Sequence, residues 1–203
     1  MARSATGFGM ALALFSAGLA GAPPAFAAGA SGIDGIALPI EEAATELSAN
    51  QFVWKDTNTG EAVSIVISLS TQRAFVYRGS TMVAATTISS GKGGKDTPLG
   101  TYPILQKEQE HKSNLYNDAS MPFMQRLTWD GIAIHAGNNP GFPDSHGCIR
   151  VPAGFAKRLF GVTSLGTTVT VTDDFEGGAV PYEPVVDQET AIANLRQSVA
   201  LEK

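Results

Sequence analysis

The amino-acid sequence predicts a single domain that is mainly β with short helices. Residues 63–69 (VSIVISL), 73–77 (RAFVY) and 82–89 (MVAATTIS) are short apolar runs, rich in β-branched residues and partly alternating with period two. Ser70-Thr71-Gln72 and Arg78-Gly79-Ser80, which lie between them, are short enough to be hairpin turns, so the three runs read as an antiparallel meander. The strand-helix alternation that builds a doubly wound parallel sheet is absent. A chain of 203 residues suffices for one ordinary domain with a sizeable core.

Composition narrows the function. Apolar residues make up 43% and charged residues 16%, the balance of a globular protein rather than a disordered or fibrous one. The formal net charge is −5 and Lys and Arg form no cluster, which argues against a nucleic-acid partner. One cysteine cannot form a CxxC pair, so no zinc site of that kind is expected, and no internal repeat is found.

Along the chain, Arg3 supplies a basic start, residues 8–20 an apolar run and Ala25-Phe26-Ala27 an A-x-A site. Residues 1–27 are therefore expected to be a signal peptide cleaved near Ala27, leaving a periplasmic or secreted protein without membrane association. A transmembrane anchor is the competing reading, but Gly7, Gly9, Gly18 and Gly21 interrupt the run and Pro23-Pro24 stop it. Residues 28–50 read as a linker or N-terminal extension with weak helical patterning at 41–47, and residues 51–173 as the main domain.

Within that domain, Gly91-Lys92-Gly93-Gly94-Lys95 lacks the spacing of a phosphate-binding loop and reads as a glycine-rich link between strands. Residues 96–102 then form a turn feeding a strand, with Pro98 fixing φ and Gly100 free to take a positive one. Residues 106–128 read as a long irregular connection, and His111 within it as a solvated surface histidine. Residues 129–136 form the next expected strand: Ile132 and Ile134 occupy one face, and Gly131, Ala133 and His135 the other, so His135 is delivered to a face with room around it. Residues 151–161 suit a short helix, with Pro152 in its first turn, Lys157 and Arg158 near its C-terminal end and Gly161 as its cap. Residues 167–173 (TTVTVTD) are the last strand, and residues 174–203 a C-terminal extension with an amphipathic helix at 188–201.

Chemistry concentrates in residues 131–150, GIAIHAGNNPGFPDSHGCIR, which hold the only cysteine, Cys148, and two of the three histidines, His135 and His146. An unpaired thiol in an exported chain, set in a polar turn-rich run beside imidazoles, has the groups that thiolate nucleophilic catalysis requires. His146 stands two residues from the thiol, whereas His135 meets it only through the fold, and strand parity favours His135 as base. The backbone N–H groups of Gly147 and Cys148, near the start of the expected helix, would stabilise a thiolate or an oxyanion. Ala136 can act only through its backbone, so a main-chain carbonyl is the expected group orienting the base. Asp144 is the nearest acidic alternative, and its place in a Pro-containing loop suits a surface role better. Arg150 suits a bidentate carboxylate contact or an ordinary surface ion pair.

Ser145-His146-Gly147-Cys148-Ile149-Arg150, with His135 upstream, resembles the signature of the L,D-transpeptidase family, the YkuD-type catalytic domain. The spacing matches a short-loop form, HxGxxPGxPxSHGCIR, and Thr97-Pro98-Leu99-Gly100 resembles the family's TPxG-type segment. The resemblance implies a YkuD-like β-sandwich of mixed sheets over residues 51–173. It implies that Cys148 is the nucleophile and His135 takes and returns its proton, with Ser145, His146, Gly147 and Arg150 in the oxyanion or substrate region. Residues 106–128 would form a flap over the cleft, with Tyr116, Met121 and Phe123 either touching the peptide or pinning the loop to the sheet. The implied partners are peptidoglycan stem peptides, with carbapenem β-lactams as inhibitors and neither metal nor organic cofactor. The implied reaction joins two stems in a 3-3 cross-link through a Cys148 thioester. Water, a free D-amino acid or a protein amine as acceptor would instead give an L,D-carboxypeptidase, amino-acid exchange or wall anchoring. Two further readings are a sortase-like or papain-like peptidase, the latter carrying Cys before His rather than after it, and a catalytically inactive wall-binding module.

Overall fold

The β-branched runs form the strands their alternation predicts. The computed structural model describes residues 38–113 and 118–178. The expected signal peptide, Tyr116 and the expected helix at 188–201 lie outside the described residues. Helix α1 (Ile40–Thr45) leads to strand β1 (Phe52–Trp54), followed by β2 (Val63–Ser68), β3 (Arg73–Arg78) and β4 (Thr81–Thr87), the expected antiparallel meander. Strand β5 (Gly100–Pro103) follows the Pro98 turn, and β10 (Thr168–Thr172) ends the domain. These six strands make one sheet in the order β1-β4-β3-β2-β10-β5, mixed because β10 runs parallel to β2. A second sheet, also mixed, comprises β6 (Gln106–Glu108), β7 (Met124–Arg126), β8 (Ala133–Ala136) and β9 (Ile149–Val151), with β8 and β9 parallel.

The larger sheet is covered on both faces. Ile65, Ile67, Ala74 and Val76 point into the central core, which they share with Ile134, Ala136, Ile149 and Val151 of the smaller sheet and with Phe155 and Leu159 of helix α2 (Ala153–Val162). The alternate residues Val66, Phe75 and Tyr77 pack under Ile40, Ala43, Ala44 and Leu47 of the N-terminal segment. The short helix α1 is held at its C-terminal end by Arg73, whose guanidinium donates to the carbonyls of Ala44 and Thr45 at 2.9 Å each. A cation is favoured there because the last carbonyls of a helix lack intrahelical partners.

Three expectations need correction. Residues 106–128 are not wholly irregular, since they contain β6 and β7. Strand β6 is polar because its inward residue serves a helix end: Lys107 Nζ donates to the carbonyls of Phe160 and Thr163 at 2.7 and 2.6 Å and lies over the Phe160 ring. The strand expected at 129–136 shortens to Ala133–Ala136, because Thr128 and Gly131 close a turn ahead of it. Helix α2 runs through Gly161 and ends at Thr163, and Pro152 caps its start instead of lying in its first turn.

Candidate active site

Register in the smaller sheet decides which side chains meet. On parallel strands β8 and β9, Ile134 pairs with Ile149, His135 with Arg150 and Ala136 with Val151. Because side chains alternate across a sheet, the core members Ile134, Ala136, Ile149 and Val151 take one face. Ala133, His135, Cys148 and Arg150 take the other. A cavity of about 280 Å³ opens on that second face, lined by His135, Cys148 and Arg150 and by Ser145, His146 and Asp144 of the loop before β9.

His135 is buried, only 7% exposed, rather than set in the open space its strand pattern predicted. Its Nδ1–H donates to the carbonyl of Ala136 at 2.8 Å. That bond fixes the ring and leaves Nε2 as the nitrogen able to accept a proton. The orienting group is thus the main-chain carbonyl expected from the sequence. Burial holds the imidazole below its ordinary pKa against the opposing Ala136 bond, and the charges of Arg150 and His111 push the same way as burial.

Cys148 is half-buried and packs against Met121, Met124 and Ala133. Its thiol donates to the carbonyl of Gly131 at 3.3 Å. Burial pushes the thiol above its ordinary pKa, with Arg126 and Arg150 among the groups opposing the rise. Burial thus disfavours the charged form of each of the two groups. The expected help from a helix N-terminus is not built: β9 and Pro152 separate Cys148 from α2, and the helix field fades within its first turn.

The turn carrying Cys148 is braced from inside the protein. Ser145 Oγ donates to the Cys148 carbonyl at 2.5 Å and accepts from the Gly147 N–H at 3.1 Å. The Gly147 N–H is thus already engaged, which departs from its expected place as an oxyanion donor. At the other end of the same residue, the buried Thr97 hydroxyl donates to the Gly147 carbonyl at 2.8 Å and accepts from the Gly91 N–H at 3.0 Å. Gly147 has φ +113, and a Cβ there would come within 2.7 Å of Ile132. At Gly91 a Cβ would meet the Lys95 carbonyl at 1.9 Å and Gly147 Cα at 2.9 Å. The glycine-rich run 91–95 is thus more than a link between strands, being pressed against the Cys148 turn. Sequence reading missed this, although the Thr97-Pro98-Leu99-Gly100 segment was visible.

Around the rim, His146 is exposed and Arg150 is paired inside the protein. The Arg150 guanidinium donates to Ser89 Oγ and to Asp144, each at 3.3 Å, and Lys92 also binds Asp144. Lys92 first, then Arg150, hold the Asp144 carboxyl below the usual carboxylate range. Of the expected flap residues, Met121 lines the cavity, whereas Phe123 packs on the core and edge-on to Phe160 at 5.9 Å, pinning the loop. His111 is not a free surface residue: it lines the cavity, and its Nδ1 lies 2.6 Å from Glu108. Arg126, which sequence reading also passed over, lines the cavity beside Cys148. Among the described residues no three His, Cys, Asp or Glu side chains converge as metal ligands.

The sequence model of YkuD, the L,D-transpeptidase catalytic domain, matches residues 62–171. A curated relative, L,D-transpeptidase 1 of Mycobacterium tuberculosis, is 26% identical over 130 residues, 56% of this chain and 51% of that protein. The chain thus spans about half the length of the curated relatives it matches. The fold resembles that of an L,D-transpeptidase from Stackebrandtia nassauensis, with TM-score 0.51 and 23% identity over 63% of this chain and 60% of that one. It also resembles LdtMt1, solved in complex with imipenem, with TM-score 0.52 and 23% identity over 55% of this chain and 59% of that one.

Proposed function

Because the chain belongs to the family of YkuD L,D-transpeptidase catalytic domains, we propose that it is an acyltransferase that cross-links peptidoglycan stem peptides through a thioester on Cys148. The observation that carries this reading is the shared face of β8 and β9. One cavity there holds the thiol and an imidazole whose Nδ1 is tied to a backbone carbonyl. In the proposed reaction His135 Nε2 takes the thiol proton as Sγ attacks the carbonyl joining the stem's diamino acid to D-Ala. The C–S bond forms, the C–N bond breaks, and His135 returns the proton to the departing amine of D-Ala. The side-chain amine of a second stem then attacks the thioester. It gives up a proton to His135 and the thiol is restored, leaving a 3-3 cross-link. Capture by water, a D-amino acid or a protein amine follows the same course with a different acceptor.

The other site residues take supporting parts. His146 and Arg150 face the cavity and so face the bound stem, Ser145 and Gly147 shape the nucleophile turn, and Met121 contacts the peptide. The leader at residues 1–27 delivers the domain at 51–173 to the periplasm or cell exterior, where such stems are found. The complex of LdtMt1 with imipenem supports a carbapenem as a probe of the same thiol.

Incubating the protein with disaccharide-tetrapeptides and reading products by mass spectrometry tests the reaction. Release of D-Ala and a dimer joined through two diamino acids are expected, together with a covalent adduct on Cys148 from a carbapenem. If D-Ala is neither released nor exchanged, and Cys148→Ala behaves as the unaltered chain, the reading is wrong and a binding module is favoured.

A further inference from the structure

Two arginines line the cavity, and their surroundings differ. Arg150 is compensated by Asp144 and tied to Ser89. Arg126 has no acidic partner among the described residues. Its Nε donates to Gln106 Oε1 at 2.7 Å, and its guanidinium carbon lies 5.8 Å from the centre of the Trp129 ring. Gln106 is fixed in turn, its Nε2 donating to Glu108 Oε1 at 2.5 Å, while the other oxygen of Glu108 meets His111 Nδ1. This chain orients the guanidinium through one nitrogen. The two terminal nitrogens make no hydrogen bond to the described residues, which leaves the bidentate fork available.

Register aims that fork at the reaction. Gln106 pairs with Arg126 across β6 and β7, Arg126 with Ala133 across β7 and β8, and Ile134 with Ile149 across β8 and β9. One step back from the last pair, Ala133 stands beside Cys148. Gln106, Arg126, Ala133 and Cys148 therefore form one row across the cavity face of the four-stranded sheet. With strands about 4.8 Å apart, the backbones of Arg126 and Cys148 lie roughly 10 Å apart, with Ala133 between them in the row. A carboxylate one residue beyond the scissile carbonyl lies within about 3.5 Å of it, the length of one residue, so a guanidinium across Ala133 reaches it.

We propose that Arg126 is a specificity-determining residue that binds the free α-carboxylate of the amino acid released from the donor stem. This rests on the acyl transfer proposed above. Arg126 then selects donors whose scissile bond is followed by a terminal carboxylate and holds that bond over the thiol.

The test uses two synthetic donor peptides that end in D-Ala and in D-alaninamide, with acylation of Cys148 followed by mass spectrometry. The unaltered protein is expected to favour the carboxylate donor by about 10- to 100-fold in kcat/KM, the value of a hydrogen bond to a charged group. Arg126→Gln brings the two donors to one level, lowering the carboxylate donor by the larger factor, whereas Arg126→Lys retains part of the preference. A purely structural role would lower both donors by one factor, and that result overturns the proposal. So does equal use of both donors by the unaltered protein, a comparison that holds even if the variants fail to fold. If neither donor acylates Cys148 while the carbapenem does, the proposed stem reaction fails and this proposal falls with it. Acylation by both donors without the preference removes only the assignment of Arg126.

Discussion

The two sheets use burial for different ends. In the six-stranded sheet both faces of β2 and β3 are covered, Ile65, Ile67 and Val76 on one side and Val66, Phe75 and Tyr77 on the other. In the four-stranded sheet one face joins that same core, while the opposite face carries His135, Cys148, Arg126 and Arg150 into a cavity. Burial on the first sheet removes apolar surface from water. On the cavity face of the second it also sets proton affinities, lowering that of His135 and raising that of Cys148. The larger core is thus shared by the sheets, while the cavity face adds only the small cluster of Met121, Met124 and Ala133 around Cys148.

Paired substitutions test this separation where the effects are largest. Cys148→Ala is expected to abolish thioester formation and the carbapenem adduct, while stability changes by less than about 1.5 kcal/mol, the scale of a conservative swap. Phe155→Ala removes a ring with no exposure that meets Phe52 and Trp54 edge-on at 5.9 and 5.5 Å. It should cost about 3–5 kcal/mol in urea unfolding, yet leave acylation per folded molecule nearly unchanged. Equal loss of stability in the two variants would break the comparison.

The next effects concern the brace beneath Cys148. Gly91→Ala drives a methyl group into the Lys95 carbonyl and Gly147 Cα, both backbone, so the turn must shift. A misplacement near 1 Å at a reacting group costs on the order of 10²-fold, and a loss of that size in kcat for acylation is expected. Thr97→Val removes both hydrogen bonds of the buried hydroxyl, to Gly91 and Gly147. About tenfold in kcat should be lost, the value of roughly one such bond, with KM little changed. Thr97→Ser should restore most of it. If serine does no better than valine, packing rather than the hydroxyl holds the turn.

These regions also differed in how far the sequence revealed them. The meander and β10 were legible because Ile, Val and Thr alternate over five or more residues, a local signal. The site was legible as a motif, since His135 and Ser145-His146-Gly147-Cys148 lie close in the chain. Strand β6 was not, because Lys107 turns inward only by virtue of the carbonyls of Phe160 and Thr163, more than fifty positions away. The brace was hidden for the same reason, as Thr97 and Gly147 are fifty residues apart. Arg126 carries no sequence signal, and its importance follows from register alone.

The smallest expected effect separates the two regions by pH. In the proposed reaction acylation requires His135 neutral, and burial holds its imidazole below the ordinary value of about 6.5. The rate should therefore reach its plateau at or below that pH, with its acidic limb displaced downward. The same displacement has a stability consequence of definite sign. As pH falls below about 6.5 the unfolded chain takes up the proton first, so stability declines until the folded pKa is passed. His135→Gln should flatten that decline in urea unfolding. Beside the six-stranded sheet the corresponding group is Asp56, in the loop after β1, which the guanidinium of Arg78 on β3, bonded to it at 2.6 and 2.9 Å, holds below the usual carboxylate range. Its contribution is present above about pH 3.9 and is lost as pH falls through its lower folded value. Two declines, one below about pH 6.5 that flattens in His135→Gln and one below about pH 3.9 that is reduced in Asp56→Asn, with Asp144 still contributing to it, are expected. An acidic limb at or above the ordinary imidazole value would mean that His135 is solvated in the working enzyme. Burial on the cavity face would then not set its proton affinity.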